Sequence, residues 1–234
     1  MLRSLEFLTK PFFNYLGEQN SAIFSAITGY CADERLNSGV IWVQYDGDDR
    51  ITAAAAVGDS GKILLFTDEN TDFDELNFLI NGNIVSPDIL PFEVADKKYL
   101  MLAKSQNDSH EKGVDSKLYF DIKRLNTEGI TKATDGAAVK MYLNAKGCCH
   151  GAAIYENGGL VSGGFVSFGK NYSVISDVYV KEEYRGKGYG ATLVKKLLKL
   201  SSTENVYLIC KEKNIGFYKK LNFSIIKEIY NYKG

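Results

Sequence analysis

The chain has 234 residues, 45% of them hydrophobic and 24% charged, with a net charge of −1, the profile of an ordinary globular protein with room for one large domain or two small ones. No apolar run approaches the roughly 18–20 residues that span a bilayer, Glu6 interrupts the place where a secretion signal would be apolar, and four cysteines (Cys31, Cys148, Cys149, Cys210) are too few for a disulfide framework in a chain this long. A cytoplasmic protein with no membrane partner is expected. The neutral total hides an asymmetry, because residues 1–120 carry 19 acids and 10 basic residues (net −9) and residues 121–234 carry 10 and 18 (net +8). The basic half has no run of five or more lysines or arginines, so no nucleic-acid partner is expected.

In chain order, residues 4–31 read as helical. Strands follow at "GVIWVQYD", "RITAAAAV" and "KILLFTD", then a short helix "FDELNFLI" and a strand "KKYLMLAK". "SQNDSHEKGVDS" (105–116) is polar and marks a domain boundary, which divides the chain into 1–115 and 116–234. Beyond it, "SKLYFDIKRLN" (116–126) reads as a strand and "TKATDGAAVKMYLNA" (131–145) as a helix. "CCHGAAIY" and "GLVSGGFVSF" flank "ENGG", a hairpin signal. "YSVISDVYV" (172–180) is the next strand. From Ala191, apolar residues recur at helical spacing beside Lys195, Lys196 and Lys199. "NVYLIC" is a strand, "NIGFYKKL" a short helix with Asn214 placed as an N-cap, and "FSIIKEIYNY" a final strand. The first half repeats part of this order, which points to a duplication.

Chemistry concentrates in "YRGKGYGATLVKKLLKL" (184–200). Gly186, Gly188 and Gly190 alternate with Lys187 and Tyr189 behind Arg185, and no acid occurs from Tyr184 to Thr203. A helix start has unpaired N–H groups at the positive end of its dipole, and glycine lets an anion approach them closely. Acids normally favour a helix's first turn, so their absence here suits an external polyphosphate. A solvated glycine loop is the plain alternative. Gly186-x-Gly188-x-x-Ala191 also satisfies the dinucleotide fingerprint, but "KEEYR" separates the strand from the first glycine and few residues remain for further βα units. A nucleotide-triphosphate loop would need Gly-Lys-Ser/Thr, which is absent.

The pattern Arg-x-x-Gly-x-Gly at Arg185, Gly188 and Gly190, after "ISDVYV" and before a long helix, resembles the coenzyme A loop of the GNAT superfamily of N-acetyltransferases. "NIGFYKKLNF" resembles that superfamily's Asn-then-"FYxxxGF" segment, with Asn222 where glycine is usual; asparagine tolerates the same left-handed backbone. The resemblance covers residues 116–232. It implies an α+β fold, an α/β sandwich with a mixed, mostly antiparallel sheet flanked by helices, and two such domains in tandem with a degenerate first copy.

It further implies transfer of an acetyl group from acetyl-CoA to a primary amine on a small molecule or peptide. Val178, Tyr179 and Val180 would pair with the pantetheine arm, with the Val178 N–H at the thioester carbonyl. Arg185, Gly186, Lys187, Gly188, Tyr189, Gly190 and Ala191 would hold the diphosphate, with Asn214 and Phe217 contributing further contacts. Tyr218 would be the acid for the departing thiolate. Relatives place a glutamate base where this chain has Val174. Asp177 is the only acid on that strand, and period 2 points it opposite to Val174, Ser176 and Val178. Glu156 sits in a turn, a water relay is equally open, and no base is assigned. A non-catalytic acyl-CoA-binding module is the rival reading.

No metal is expected, since "CCH" (148–150) and a single further histidine fall short of a zinc ligand set. Cys148 and Cys149 read as small apolar fillers. Where a duplicate would place its glycine loop, the first half reads "TDENTDFDE", whose acids would repel a diphosphate. That half would shape an acceptor pocket or an interface. A homo-oligomer is compatible with all of this.

Overall fold

The computed structural model describes residues 1–28, 41–57, 61–77, 79, 83–105 and 147–233. The expected strand at 116–126, the expected helix at 131–145, Cys31 and the boundary at 115/116 lie outside these residues. The chain forms two compact units, one of residues 1–100, 209–215 and 225–234, the other of residues 101–208 and 216–224.

The first unit opens with β1 (Leu2–Ser4), which pairs antiparallel with β2 (Ile41–Tyr45). Helix was expected over residues 4–31, but residues 4–9 are not helical and the helix begins at Lys10. The helix α1 (Lys10–Thr28) starts with Pro11 in its first turn, where a missing N–H costs nothing, and is kinked at Gly17, whose φ of 67° no helical residue adopts. Its buried Phe12 and Phe24 rings meet edge to face at 5.3 Å. β3 (Ile51–Val57) and β4 (Ile63–Thr67) continue an antiparallel meander. A one-turn helix α2 (Phe73–Leu76) leads to β5 (Ile84–Ser86), which pairs in parallel with β4. β5 escaped the sequence reading because three residues carry no measurable period. β6 (Val94–Lys104) follows. The unit is closed by β11 (Ser224–Tyr232), antiparallel to β5. Its core gathers Ala53, Ala55, Leu65, Leu76, Ile84, Leu90 and Tyr232.

The second unit repeats the plan. β7 (Cys149–Glu156), β8 (Gly159–Phe168) and β9 (Tyr172–Val180) form an antiparallel meander. The hairpin between β7 and β8 turns on Asn157 and Gly158, both at positive φ, as a two-residue primed turn requires. The helix α3 (Tyr189–Leu200) returns the chain to β10 (Asn205–Lys211), which pairs in parallel with β9 from Tyr172 to Ile175. Leu193, Val194, Leu197 and Leu198 are buried on one stripe of α3, while Lys195, Lys196 and Lys199 are exposed. Each unit thus contains a three-stranded antiparallel meander followed by a parallel strand reached through a helix. The fold is the expected mixed, mostly antiparallel sheet with flanking helices. Among the described residues, no helix is long and apolar enough to cross a membrane.

The last helix, α4 (Ile215–Lys219), is preceded by the 3-10 turn Glu212–Asn214, so Asn214 ends that turn. The C-terminus of α4 explains "YKKLNF". Asn222 N–H donates to the Lys219 carbonyl at 3.1 Å and Phe223 N–H to the Tyr218 carbonyl at 3.1 Å, with Asn222 at φ 65°. That pair of bonds around one left-handed residue is the Schellman stop, and its usual apolar contact is here Tyr218 against Phe223, at 5.7 Å. Asn222→Gly is expected to leave the melting temperature unchanged or raise it. Asn222→Val, which forces a β-branched residue to positive φ, is expected to cost about 1–3 kcal/mol, measured by chemical denaturation.

Candidate coenzyme site

The strand β9 leads into the site. Lys181 N–H donates to the Val161 carbonyl of β8 at 2.9 Å. Alternation along the strand then turns Tyr179 toward β8 and the N–H groups of Val178 and Val180 away from it. The ladder to β10 occupies Tyr172–Ile175, so Val178 and Val180 lie beyond the paired stretch. A bulge separates the two halves of β9. Phe165 pairs with Ser176 and Gly163 with Tyr179, so Asp177 and Val178 together oppose Gly164. This overturns the period-2 reading: past the bulge, Tyr179 shares a face with Ser176 and Val174, and Val178 changes side. "GG" within "GLVSGGFVSF" was the available signal, since glycine inside a strand marks a bulge or a close backbone approach. A Cβ on Gly164 would come within 3.1 Å of Leu197 Cδ1 on α3 and 3.4 Å of Val178 Cα.

Past β9 the chain makes the 3-10 turn Glu182–Tyr184 and then the glycine turn. Gly186 and Gly188 have φ of 78° and 89°, and a Cβ on either would meet no atom within 4 Å. Gly188 is the N-cap of α3 and offers no side-chain cap. The first helical bond runs from Thr192 N–H to the Gly188 carbonyl, at 3.1 Å, so the N–H groups of Tyr189, Gly190 and Ala191 precede the helical ladder and have no acceptor within it. The first turn holds no acid.

Around this cradle, Arg185 is exposed and tied back by its Nε to the Val180 carbonyl at 3.2 Å. Lys187 is exposed, its Nζ 5.0 Å from the Tyr184 ring centre, and Tyr184 meets Tyr189 edge to face. A Cβ on Gly190 would lie 3.3 Å from both Val180 Cγ2 and Phe217 Cζ. The strand end, the helix start and α4 therefore converge at Gly190. Phe217 is 37% exposed, Tyr218 is 8% exposed, and their rings meet edge to face at 4.9 Å. Asn214 is exposed and belongs to the 209–215 segment of the first unit. Gly190→Ala should push Phe217 aside by a few tenths of an ångström. It is expected to weaken coenzyme binding several-fold with little change in melting temperature, read by calorimetry and thermal unfolding.

The first unit treats the corresponding place differently. The N-terminus of α2 is capped by its own chain, with the Asp72 side chain accepting from Asp74 N–H at 3.0 Å and Glu75 N–H at 3.2 Å. Asp74 and Glu75 add two acids to its first turn. At the end of β4, Thr67 donates its N–H to Asp88 Oδ2 at 2.9 Å. Tyr232 seals this contact, donating its hydroxyl to the Asp88 carbonyl and accepting from Leu90 N–H, both at 2.9 Å. Anion donors that are open in the second unit are consumed by carboxylates in the first.

His150 and the cysteines stand apart from this machinery. Cys149 is buried and accepts from Ser167 Oγ at 3.5 Å. His150 packs edge to face on Phe168 at 5.0 Å, and burial lowers its pKa. Burial also pushes the Cys210 thiol up to about 11, which leaves it protonated at neutral pH.

The sequence model of the acetyltransferase (GNAT) family matches residues 117–223. Among solved structures, the fold is similar to a GCN5-related N-acetyltransferase from Sphaerobacter thermophilus (TM-score 0.58, 10% identity, 100% of this chain and 95% of that one). It is similar to a GNAT-family putative acetyltransferase from Novosphingobium aromaticivorans (TM-score 0.54, 16% identity, 78% and 89%). It also resembles a tandem GNAT protein from the clavulanic acid biosynthesis pathway (TM-score 0.53, 11% identity, 82% of each chain). Residues 117–223 therefore match the acetyltransferase (GNAT) family model, and the chain shares the fold of these GNAT structures.

Proposed function

We propose that the protein is an acetyl-CoA-dependent N-acetyltransferase acting on a primary amine. The observation that carries this is the start of α3: an uncapped, acid-free helix N-terminus behind two left-handed glycines with open space over them, flanked by Arg185 and Lys187. The residues present fit a coenzyme A diphosphate, since the space over Gly186 and Gly188 is open and lets an anion approach the backbone. The amides of residues 189–191 would bind it, and the Arg185 and Lys187 charges would add to their field.

Acetyl-CoA, when bound, supplies an acyl group already activated as a thioester. The outward N–H groups of Val178 and Val180 would hold the pantetheine arm by strand-like pairing, and the Val178 N–H would donate to the carbonyl as negative charge develops there. Asn214 is proposed as a further pantetheine contact. Tyr218 is proposed as the acid, because a phenol hydroxyl can donate its proton to a leaving sulfur. The Schellman stop and the rings of Phe217 and Phe223 fix its position. The first unit, with its donors consumed by carboxylates, is proposed to bind no coenzyme.

One feature favours a binding module without turnover: Val174, where relatives place a glutamate base, is apolar and buried. The test is free thiol released from acetyl-CoA with a panel of primary amines. Amine-dependent release supports the transferase. Tight acetyl-CoA binding with no release from any amine supports the module.

A further inference from the structure

We infer that Lys62, Lys98, Lys211 and Asn231 form a binding site for a small oxyanion, a carboxylate or a phosphate group, on the first unit. All four residues belong to that unit. The site rests on no part of the transferase reading.

The sheet places the group. β6 lies between β11 and β10. On one face of β11, Tyr232 enters the core cluster and Tyr230 packs against it. Lys97 of β6 belongs to that face, with its Nζ 5.1 Å from the centre of the Tyr230 ring and 2.9 Å from Glu228 Oε2. Side chains alternate along a strand, so Lys98 and Asn231 lie on the other face. Lys62 reaches the same face and donates from Nζ to Asn231 Oδ1 at 3.4 Å. Lys211 ends β10, the neighbour of β6.

Two observations point to an anion as the ligand. Asn231 is 4% exposed, and its Nδ2 has no acceptor among the described residues, although a buried amide donor is costly to leave unpaired. Turning the amide over would set its N–H groups against the Lys62 ammonium. The second observation is charge. Lys97 has its glutamate, but Lys62, Lys98 and Lys211 have no ion pair among the described residues. Lys98 is half-buried; burial and the charges of Lys62 and Lys211 lower its pKa, and Asp96 opposes them. An oxyanion between the lysines would accept from Asn231 Nδ2 and offset the repulsion of three like charges. Lys211 is exposed, which leaves the group open to solvent on that side.

The experiment titrates the full-length protein with inorganic phosphate and, separately, with acetate, at one ionic strength held with chloride. Calorimetry gives the affinity and thermal unfolding the melting temperature. The parent is expected to bind at least one of the two saturably and to melt higher with it than in chloride alone. Tighter phosphate assigns the ligand as a phosphate group, tighter acetate as a carboxylate. Lys98→Met keeps the bulk of the stem and removes the charge. It is expected to weaken the affinity about tenfold or more and, without the anion, to melt no lower than the parent. Asn231→Asp keeps the size and sets a carboxylate among the lysines, so it is expected to abolish binding. Gly188→Glu, which closes the start of α3, is expected to bind like the parent. Saturable binding of neither anion, or an affinity in Lys98→Met within about twofold of the parent, overturns the proposal. Loss in Gly188→Glu with Lys98→Met unchanged places the anion at α3 and overturns it equally.

Discussion

Gly188→Glu is expected to abolish acetyl-CoA binding while the protein stays folded. Gly188 sits at φ 89° with open space over its Cβ position, so the new side chain has room, and the left-handed backbone costs about 1–2 kcal/mol. That is a fraction of the stability of an ordinary domain, about 5–15 kcal/mol. The effect on binding is much larger. The carboxylate would stand at the start of α3, where it would itself satisfy the N–H groups of residues 189–191, as Asp72 does at α2. It would also repel the incoming diphosphate at short range. Gly188→Asn is the control, since it tolerates the same backbone and adds bulk without charge, and it should bind more tightly than Gly188→Glu and less tightly than the parent. Calorimetry and circular dichroism on the three proteins separate the effects. Binding by Gly188→Glu at parental affinity would remove the turn from the site.

Tyr218→Phe is expected to lower kcat by about 10²–10⁴-fold, the range of general acid catalysis, with acetyl-CoA affinity nearly unchanged. The change removes one hydroxyl and leaves the ring contacts with Phe217 and Phe223 and the carbonyl bonds of the Schellman stop in place. Single-turnover measurement keeps product release from masking the loss. An unchanged rate of acyl transfer would return Tyr218 to the core, where its low exposure already gives it a packing role.

The elements from residue 149 onward were legible because their signals are local. "ENGG" needs only two left-handed residues, the stripe from Leu193 to Leu198 needs only a helical period, and the glycine turn carries its own φ requirements. What was hidden depends on partners distant in sequence. The bulge at Asp177 lies opposite Gly164, on the neighbouring strand, where Leu197 of α3 packs close to the sheet. No period along "YSVISDVYV" records that. β11 was equally plain as a strand, yet its pairing with β5 joins the last residues of the chain to the first unit, and strand pattern does not name a partner. The acidic "TDENTDFDE" reads as unfavourable to a diphosphate, but that Asp72 caps α2 and Asp88 takes the Thr67 N–H needed the folded chain.

The central claim is that one uncapped helix start in the second half holds a coenzyme A diphosphate and that its counterpart in the first half does not. Calorimetric titration of the full-length protein with acetyl-CoA, at low and at high salt, tests it most directly. The account predicts one equivalent bound per chain, with affinity falling as salt screens Arg185, Lys187 and the helix end. No binding at low salt by folded protein, or two equivalents per chain, would contradict it.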